Sequence, residues 1–261
     1  MNLSAIYLKF VWPLLQWVDP EQAHERTLDA LEMAQSTAVS RFILHQIAGS
    51  IPLNPVVIAG LTFPNVLGIA AGFDKDVRVA RGLGELGFGH IEVGTLTPRP
   101  QKGNPKPRIF RLPADGAVIN RMGFPNGGVD TAVPRLHRLA QQERDFVVGV
   151  SLGKQKETPL ADAGRDYTAV MRAVYPYADY LAVNISSPNT PGLRELQGGN
   201  YLGQLLHTLV AERDKLAARG GGTRPLFLKI APDVTHAELD EILQAALDQN
   251  VDGMIATNTT L

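Results

Sequence analysis

Apolar residues recur along this chain with two different periods, and the change between them divides it. Before about residue 50, Leu3, Ile6, Tyr7, Phe10, Leu14, Trp17 and Val18 fall at helical spacing, with only Lys9 charged before Asp19. That pattern predicts a short apolar helix bent near Pro13. Asp19, Pro20 and Gln22 stand where a helix takes its N-cap, N1 and N3 residues, so a second helix is expected to run to about Met33. Its apolar side carries Ala23, Thr27, Leu28 and Leu31, and a third apolar patch spans 42–47. Segment 1–50 is expected to be either a helical layer packed on the main domain or an interfacial anchor. Trp and Tyr suit a headgroup region, although the Lys/Arg-rich face usual in such anchors is missing. Two Trp and no small-residue cleavage site argue against a secretory signal.

From about residue 56 the period shortens. Residues 56–58 and 61–63 flank Ala59-Gly60 as a small hairpin. Six apolar, strand-like runs follow at 66–72, 90–97, 146–152, 180–186, 225–231 and 253–259, each trailed by a polar or Gly-rich segment. Helical patterns lie between them at 77–88, 162–178, 201–219 and 235–250, the last with Thr235 capping and Glu238 at N3. A second hairpin is expected from 108–112 and 117–121 across 113–116. Alternation of apolar strands with helices predicts an α/β fold with a parallel sheet covered by helices. The unusual residues follow all six strand ends. An open sheet concentrates its site at one switch point, whereas a (β/α)8 TIM barrel gathers every strand end on one face, so a barrel over 51–261 is expected. Eight units are needed and only about six are present, which reads as a fragment lacking its C-terminal units.

Composition narrows the chemistry. Lys plus Arg number 25 against 26 Asp plus Glu, so no global basic field calls for nucleic acid. The absence of cysteine excludes disulfides, thiolate-held zinc, iron–sulfur clusters and thiol catalysis. No carboxylate pair or His cluster among the strand ends points to a metal. No run of about 18 apolar residues exists that would span a bilayer.

The stretch Tyr180-Leu-Ala-Val-Asn-Ile-Ser-Ser-Pro-Asn-Thr190 ends a buried strand in small amides and hydroxyls. Such groups on a rigid element are well placed to bind, although they also make ordinary turns. Lys229 interrupts the apolar run 225–231; a buried ammonium needs an anionic partner or a bound anion, unless it snorkels from the strand end. Lys75 is a further candidate, with a solvated turn lysine as the bland reading. Asn120, Asn184, Asn189 and Asn258 form an amide constellation suited to a planar heterocycle with alternating N–H and C=O groups. Ser187 has no Ser–His–Asp arrangement around it.

These motifs resemble one family. Asn184-Ile185-Ser186-Ser187-Pro188-Asn189-Thr190-Pro191-Gly192-Leu193-Arg194 looks like the signature loop of dihydroorotate dehydrogenases. So do Ala70-Ala71-Gly72-Phe73-Asp74-Lys75, Gly94-Thr95-Leu96-Thr97-Pro98-Arg99-Pro100, Asn120-Arg121-Met122-Gly123-Phe124 and Thr257-Asn258-Thr259-Thr260. The resemblance runs from the leading helices to the last residue. It is to the quinone-linked, membrane-associated class 2 branch, because Ser187 stands where the cytosolic class carries cysteine and because extra helices precede the barrel. It implies a flavoprotein that oxidises dihydroorotate to orotate in pyrimidine (UMP) biosynthesis and passes electrons to a membrane quinone. It implies FMN contacted by Ala71, Gly72, Lys75, Thr95, Ser151, Asn184, Lys229 and Thr257. The substrate would be held by Lys75, Asn120, Arg121, Met122, Gly123, Phe124, Asn184, Asn189, Asn258 and Thr259.

Ser187 would be the base. A hydroxyl is a poor base at neutral pH and needs a relay, for which Thr190 with a water is the candidate. Lys229 would stabilise negative charge arriving on the flavin. His24 and Arg111 stand where this class lines its quinone tunnel, with an exposed helix His and a hairpin Arg as the bland readings. The implied location is peripheral, on the cytoplasmic face of a bacterial inner membrane. Two departures stand out. Ser151 occupies a position where the family usually has Asn, so a weakened or water-bridged FMN contact is expected. The flavin-phosphate glycine loops of the family lie in units beyond residue 261. The alternatives are another FMN barrel acting on a pyrimidine, or a non-catalytic, incomplete fragment.

Overall fold

The computed structural model describes residues 3–49, 51 and 54–260, with the side chains of residues 3, 4, 199 and 200 left aside. The expected domain boundary at Ser50, the Leu3 side chain of the first helical pattern, and Leu261 lie outside the described residues. The leading segment is helical: α1 (Leu3–Ile6), a π-helical turn (Tyr7–Val11), α2 (Trp12–Leu15), α3 (Pro20–Ala34) and α4 (Ala38–Ala48). Pro13, with no N–H to give, falls in the first turn of α2, directly after a π turn in which the Trp12 N–H reaches Tyr7 O. Asp19 caps α3 by accepting from Gln22 N at 2.9 Å.

Six parallel strands follow: β3 (Gly68–Ile69), β4 (His90–Leu96), β7 (Val147–Leu152), β8 (Tyr180–Asn184), β9 (Leu226–Ile230) and β10 (Gly253–Ala256). They form one curled sheet in the order β10-β9-β8-β7-β4-β3, a partial TIM barrel. Helices α5 (Ala80–Glu85), α6 (Gly128–Ala140), α7 (Ala163–Val174), α8 (Gly199–Leu216) and α9 (His236–Asp248) connect them. The main core lies between helices and sheet, where β4, β7, β8 and β9 bury Ile91, Val93, Val148, Val150, Leu181, Val183, Leu226 and Leu228. The opposite face of the strands lines the inside of the curl. There the hairpin β1 (Val56–Ile58) and β2 (Leu61–Phe63) sends Phe63 against Val147, Tyr180, Ala182 and Phe227. Gly149 makes room for this layer: a Cβ there would lie 2.0 Å from the Tyr180 ring.

The second expected hairpin is β5 (Ile109–Leu112) and β6 (Ala117–Asn120), closed by a 3-10 turn at Pro113–Asp115. Three expected elements are shorter than their patterns. The run 66–72 reduces to Gly68–Ile69, because β3 pairs on one side only and the backbone turns away at Gly72, whose φ is 108°. The run 253–259 stops at Ala256, at the other edge of the sheet. The helix expected over 77–88 is Ala80–Glu85: Asp74 takes the Arg78 and Val79 N–H groups at 2.7 and 2.8 Å, delaying its start. Gly87, at φ 89°, ends it.

Arginines fasten the leading helices to the sheet. Arg78 meets Glu25, Asp29 and Glu32, which share one face of α3 at helical spacing. Arg108 holds Glu21 through two bonds, 2.6 and 3.1 Å, with both side chains buried. Arg111 donates to Leu15 O and Val18 O, the carbonyls that end the first helical stretch.

Candidate active site at the strand ends

Parallel strands deliver their C-terminal residues to one rim, and alternation along each strand decides which side chains face inward. On that inner face Thr95, Ser151 and Asn184 come side by side, and all three are buried. Asn184 Nδ2 donates to Thr95 Oγ1 at 2.8 Å, and Thr95 Oγ1 lies 2.9 Å from Ser151 Oγ. Asn184 Oδ1 accepts from Ser186 N (3.2 Å), Ser186 Oγ (3.0 Å) and Asn258 Nδ2 (3.4 Å). Asn258 also reaches Ser186 Oγ at 3.0 Å. The network ties the end of β8 to the end of β10 and to β4. Ser151 is completely buried, and its hydroxyl is engaged with Thr95, so it bears on the rim through Thr95.

Below this floor, Lys229 is buried in β9 with its Nζ 3.1 Å from Glu92 Oε1. Tyr180 OH donates to Glu92 Oε2 at 3.2 Å. Burial, with the Glu92 charge beside it, raises the Tyr180 hydroxyl well above its ordinary range, so it stays protonated. The anionic partner that Lys229 requires is therefore Glu92.

The loop after β8 is stretched between several anchors. Ser187 is buried and accepts from Asn189 N at 3.3 Å. Asn189 Nδ2 donates to Asn120 O at 3.0 Å, and Asn104 Nδ2 donates to Asn189 O at 3.1 Å. Asn120 is thus brought to the loop through its main chain, while its own Oδ1 takes Met122 N at 2.9 Å. Thr190 is buried in the same loop. Its carbonyl accepts Leu193 N at 3.1 Å, and no hydrogen bond joins its hydroxyl to that of Ser187. A cavity of about 600 Å³ brings Gly123, Phe124, Asn189 and Thr190 to one wall. Met122 is buried, while Arg121 is exposed and gives its carbonyl to Asn104 Nδ2 at 3.0 Å.

Lys75 donates to Gly72 O across the turn after β3. Burial, chiefly, lowers its pKa from the ordinary lysine value. It shares a cleft of about 260 Å³ with His24 and Phe73, between α3 and the rim. His24 sits edge-on to Phe73 with ring centroids 5.0 Å apart, and burial, then the Lys75 charge, lowers its pKa. Arg111 is not on that cleft; its guanidinium closes the helix end described above. Thr257 and Thr259 are exposed at the end of β10, with Thr259 N donating to Asn258 Oδ1 at 2.8 Å.

The arrangement fits a planar, anionic-capable heterocycle. Gly72 adopts a positive φ, and a Cβ built on it meets nothing within 4 Å, leaving its backbone open to close approach. Lys229 spends one of its three N–H groups on Glu92. Ala71, partly exposed, adjoins Gly72. Among the described residues no group of three or more His, Cys, Asp or Glu is placed to hold a metal.

Three contributors were missed by sequence reasoning. Glu92 interrupts an apolar strand just as Lys229 does, and that signal was present. Arg194 bonds Ser186 O (3.1 Å), Asp233 (2.9 Å) and Thr259 O (3.1 Å), pinning the loop to the end of β10; an Arg inside a loop gives no such sign. Asn104, which holds both Asn189 and Arg121, lies in a run of turn residues.

Comparison with known proteins places the chain in a family. The dihydroorotate dehydrogenase family profile matches residues 55–261. A Marinomonas dihydroorotate dehydrogenase (quinone) is 51% identical over 251 residues, covering 95% of this chain and 70% of that protein. The enzyme of the same name from Akkermansia muciniphila is 48% identical, covering 94% of this chain and 68% of that protein. Among solved structures, dihydroorotate dehydrogenase from Eimeria tenella in complex with ferulenol superposes with a TM-score of 0.80 at 39% identity, over 96% of this chain and 70% of that one. The chain belongs to the dihydroorotate dehydrogenase family, and these curated relatives are of its quinone-linked kind.

Proposed function

We propose that the protein oxidises dihydroorotate to orotate, a step in pyrimidine biosynthesis, with FMN bound at the rim and a membrane quinone as the final electron acceptor. What supports this is the hydrogen-bonded set Thr95, Ser151, Asn184, Ser186 and Asn258 beneath the Ser187 loop, with a buried lysine below it. FMN, when bound, would supply the acceptor chemistry for the C6 hydride and the onward transfer of electrons. Ala71, Gly72, Lys75, Thr95, Asn184, Lys229 and Thr257 would hold it, with Ser151 acting through its bond to Thr95. Lys75 would neutralise the substrate carboxylate, while Asn120, Asn184, Asn189 and Asn258 would satisfy the ring amides. Arg121, Met122, Gly123, Phe124 and Thr259 would complete that pocket. Ser187 takes the C5 proton; a buried hydroxyl with no acidic or basic partner needs a relay, and Thr190 with a water supplies it.

Electron exit is assigned to the leading segment, 1–50, docked on the barrel domain 51–261. Phe10, Leu14 and Trp17 are exposed, Trp17 by 91%. Val39, Phe42, Ile43 and Ile47 of α4 are exposed as well. No helix among the described residues is long and apolar enough to cross a membrane. Burying three or four such side chains at about 1.5–3 kcal/mol each suffices for peripheral attachment to the cytoplasmic face of an inner membrane. His24, beside Phe73, lies on the cleft assigned to the quinone, while Arg111 holds the end of the first helical stretch through Leu15 O and Val18 O.

The test is anaerobic. The full-length protein carrying this sequence is mixed with dihydroorotate, and flavin absorbance is followed with orotate formation. Bleaching with stoichiometric orotate is expected. Flavin that ignores dihydroorotate but is reduced by another dihydropyrimidine would transfer the assignment to a different pyrimidine oxidoreductase.

A further inference from the structure

Glu92 has no part in the reaction as described so far. It stands at mid-strand, 3% exposed, where an ionised carboxylate persists only with partners. It has two donors, Lys229 Nζ on one oxygen and Tyr180 OH on the other. Each of these side chains is buried and comes from a different strand. The Glu92 bond fixes one N–H of Lys229 and so determines where the other two point. The Glu92 charge also cancels part of the lysine's field. His90, on the same face of β4, does not take this place: burial lowers its pKa, and its Nδ1 has no partner.

We propose that Glu92 is a positioning residue for Lys229 and, with Tyr180, sets how much positive charge the flavin's pyrimidine end meets; this rests on the assignment of Lys229 as a flavin contact. Electrons arriving on the flavin bring negative charge, which the ammonium favours and the adjacent carboxylate opposes. Glu92→Gln keeps the shape and an acceptor for Lys229 but removes the opposing charge, so reduction becomes easier. Tyr180→Phe removes the donor that disperses the carboxylate's charge, so reduction becomes harder. Glu92→Asp keeps the charge and stays near the parent.

The experiment is spectroelectrochemical titration of the flavin in the full-length holoprotein and these variants, with flavin content and melting temperature measured alongside. Glu92→Gln is expected to raise the ratio of reduced to oxidised flavin at a fixed poise by threefold to tenfold. Tenfold corresponds to about 30 mV for a two-electron couple. Tyr180→Phe is expected to move the ratio the other way. A purely structural pair would change melting temperature and flavin content but leave the potential of the bound flavin alone, and that result overturns the proposal. If Glu92→Gln yields no folded protein, Tyr180→Phe decides by itself, and an unmoved potential there is equally fatal. If the parent protein binds no flavin at all, the function assigned above falls, and the proposal with it.

Discussion

Glu21→Gln tests how the leading helices are fastened to the rest of the chain. Glu21 is 7% exposed and accepts two bonds from Arg108, at 2.6 and 3.1 Å, and one ion pair from the exposed Lys106 at 3.1 Å. Removing one partner of a buried pair costs about 3–5 kcal/mol. Here the loss is smaller, because Arg108 Nη1 keeps the Lys102 and Asn104 carbonyls at 2.7 and 2.8 Å and glutamine keeps one acceptor. We expect about 2–4 kcal/mol, which at about 2–4 °C per kcal/mol lowers the melting temperature by about 4–16 °C. The double variant Glu21→Gln/Arg108→Met, which leaves no orphaned guanidinium, should lose less than the two single changes added.

The pH dependence has a definite sign. The Arg108 bonds hold the Glu21 carboxyl below its ordinary value, so its contribution is fully present above the unfolded carboxylate pKa and is lost as pH falls through the folded one. The gap between parent and variant is therefore widest near neutrality and closes below about pH 4. Calorimetry measures the gap. Hydrogen exchange along α3 shows whether the helix loosens first, which matters because His24 lies less than one turn beyond Glu21. A variant that melts within about 1 °C of the parent, with α3 protection unchanged, would refute the reasoning.

Further outcomes are expected. Ser187→Ala should leave FMN bound while slowing its reduction by dihydroorotate about 10²–10⁴-fold in stopped flow, and Ser187→Cys should keep part of the rate because a thiol has a lower reference pKa. Trp17→Ser with Phe10→Ser should abolish flotation with anionic vesicles yet leave flavin bleaching intact; unchanged flotation would make these helices mere packing. Gly149→Ala drives a methyl into the Tyr180 ring and should destabilise by about 1–3 kcal/mol in denaturant melts. Burial lowers the His24 pKa, so acidification from about pH 6.5 protonates the unfolded chain first and destabilises the native one. His24→Gln should flatten that limb of the pH–stability curve.

Elements whose ends are chemically marked were legible in the sequence. Asp19-Pro20 and Thr235 with Glu238 announce helix starts through side-chain acceptors, and both caps form. Strands buried on both faces, such as β7 and β8, read as unbroken apolar runs for the same reason that they are buried. The edge strands did not read correctly: Val66 and Leu67 are apolar but 66% and 60% exposed, since apolarity says nothing about whether a ladder partner exists. Likewise Arg111 Nη1 donates to two helix-end carbonyls, a role the sequence did not announce because main-chain acceptors leave no sequence pattern.

The pairing of Glu92 with Lys229 shows what a sequence can and cannot specify. Each is a lone charge in an apolar strand, so each announces a buried partner, but 137 residues separate them and nothing local says that they meet. Sheet order makes the meeting harder to foresee, because β7 and β8 lie between β4 and β9. In a flat sheet, three strand spacings would hold the two chains about 14 Å apart with side chains parallel. Their 3.1 Å contact therefore requires the sheet to curl until its inner faces look at one another. The ion pair is thus a consequence of barrel curvature, and it supplies a charge pair that only a curled sheet can satisfy. A flat arrangement would leave two buried charges unpartnered, several kcal/mol each. The placement of Lys229 beside Glu92 and the curvature of the sheet are in this way one physical requirement.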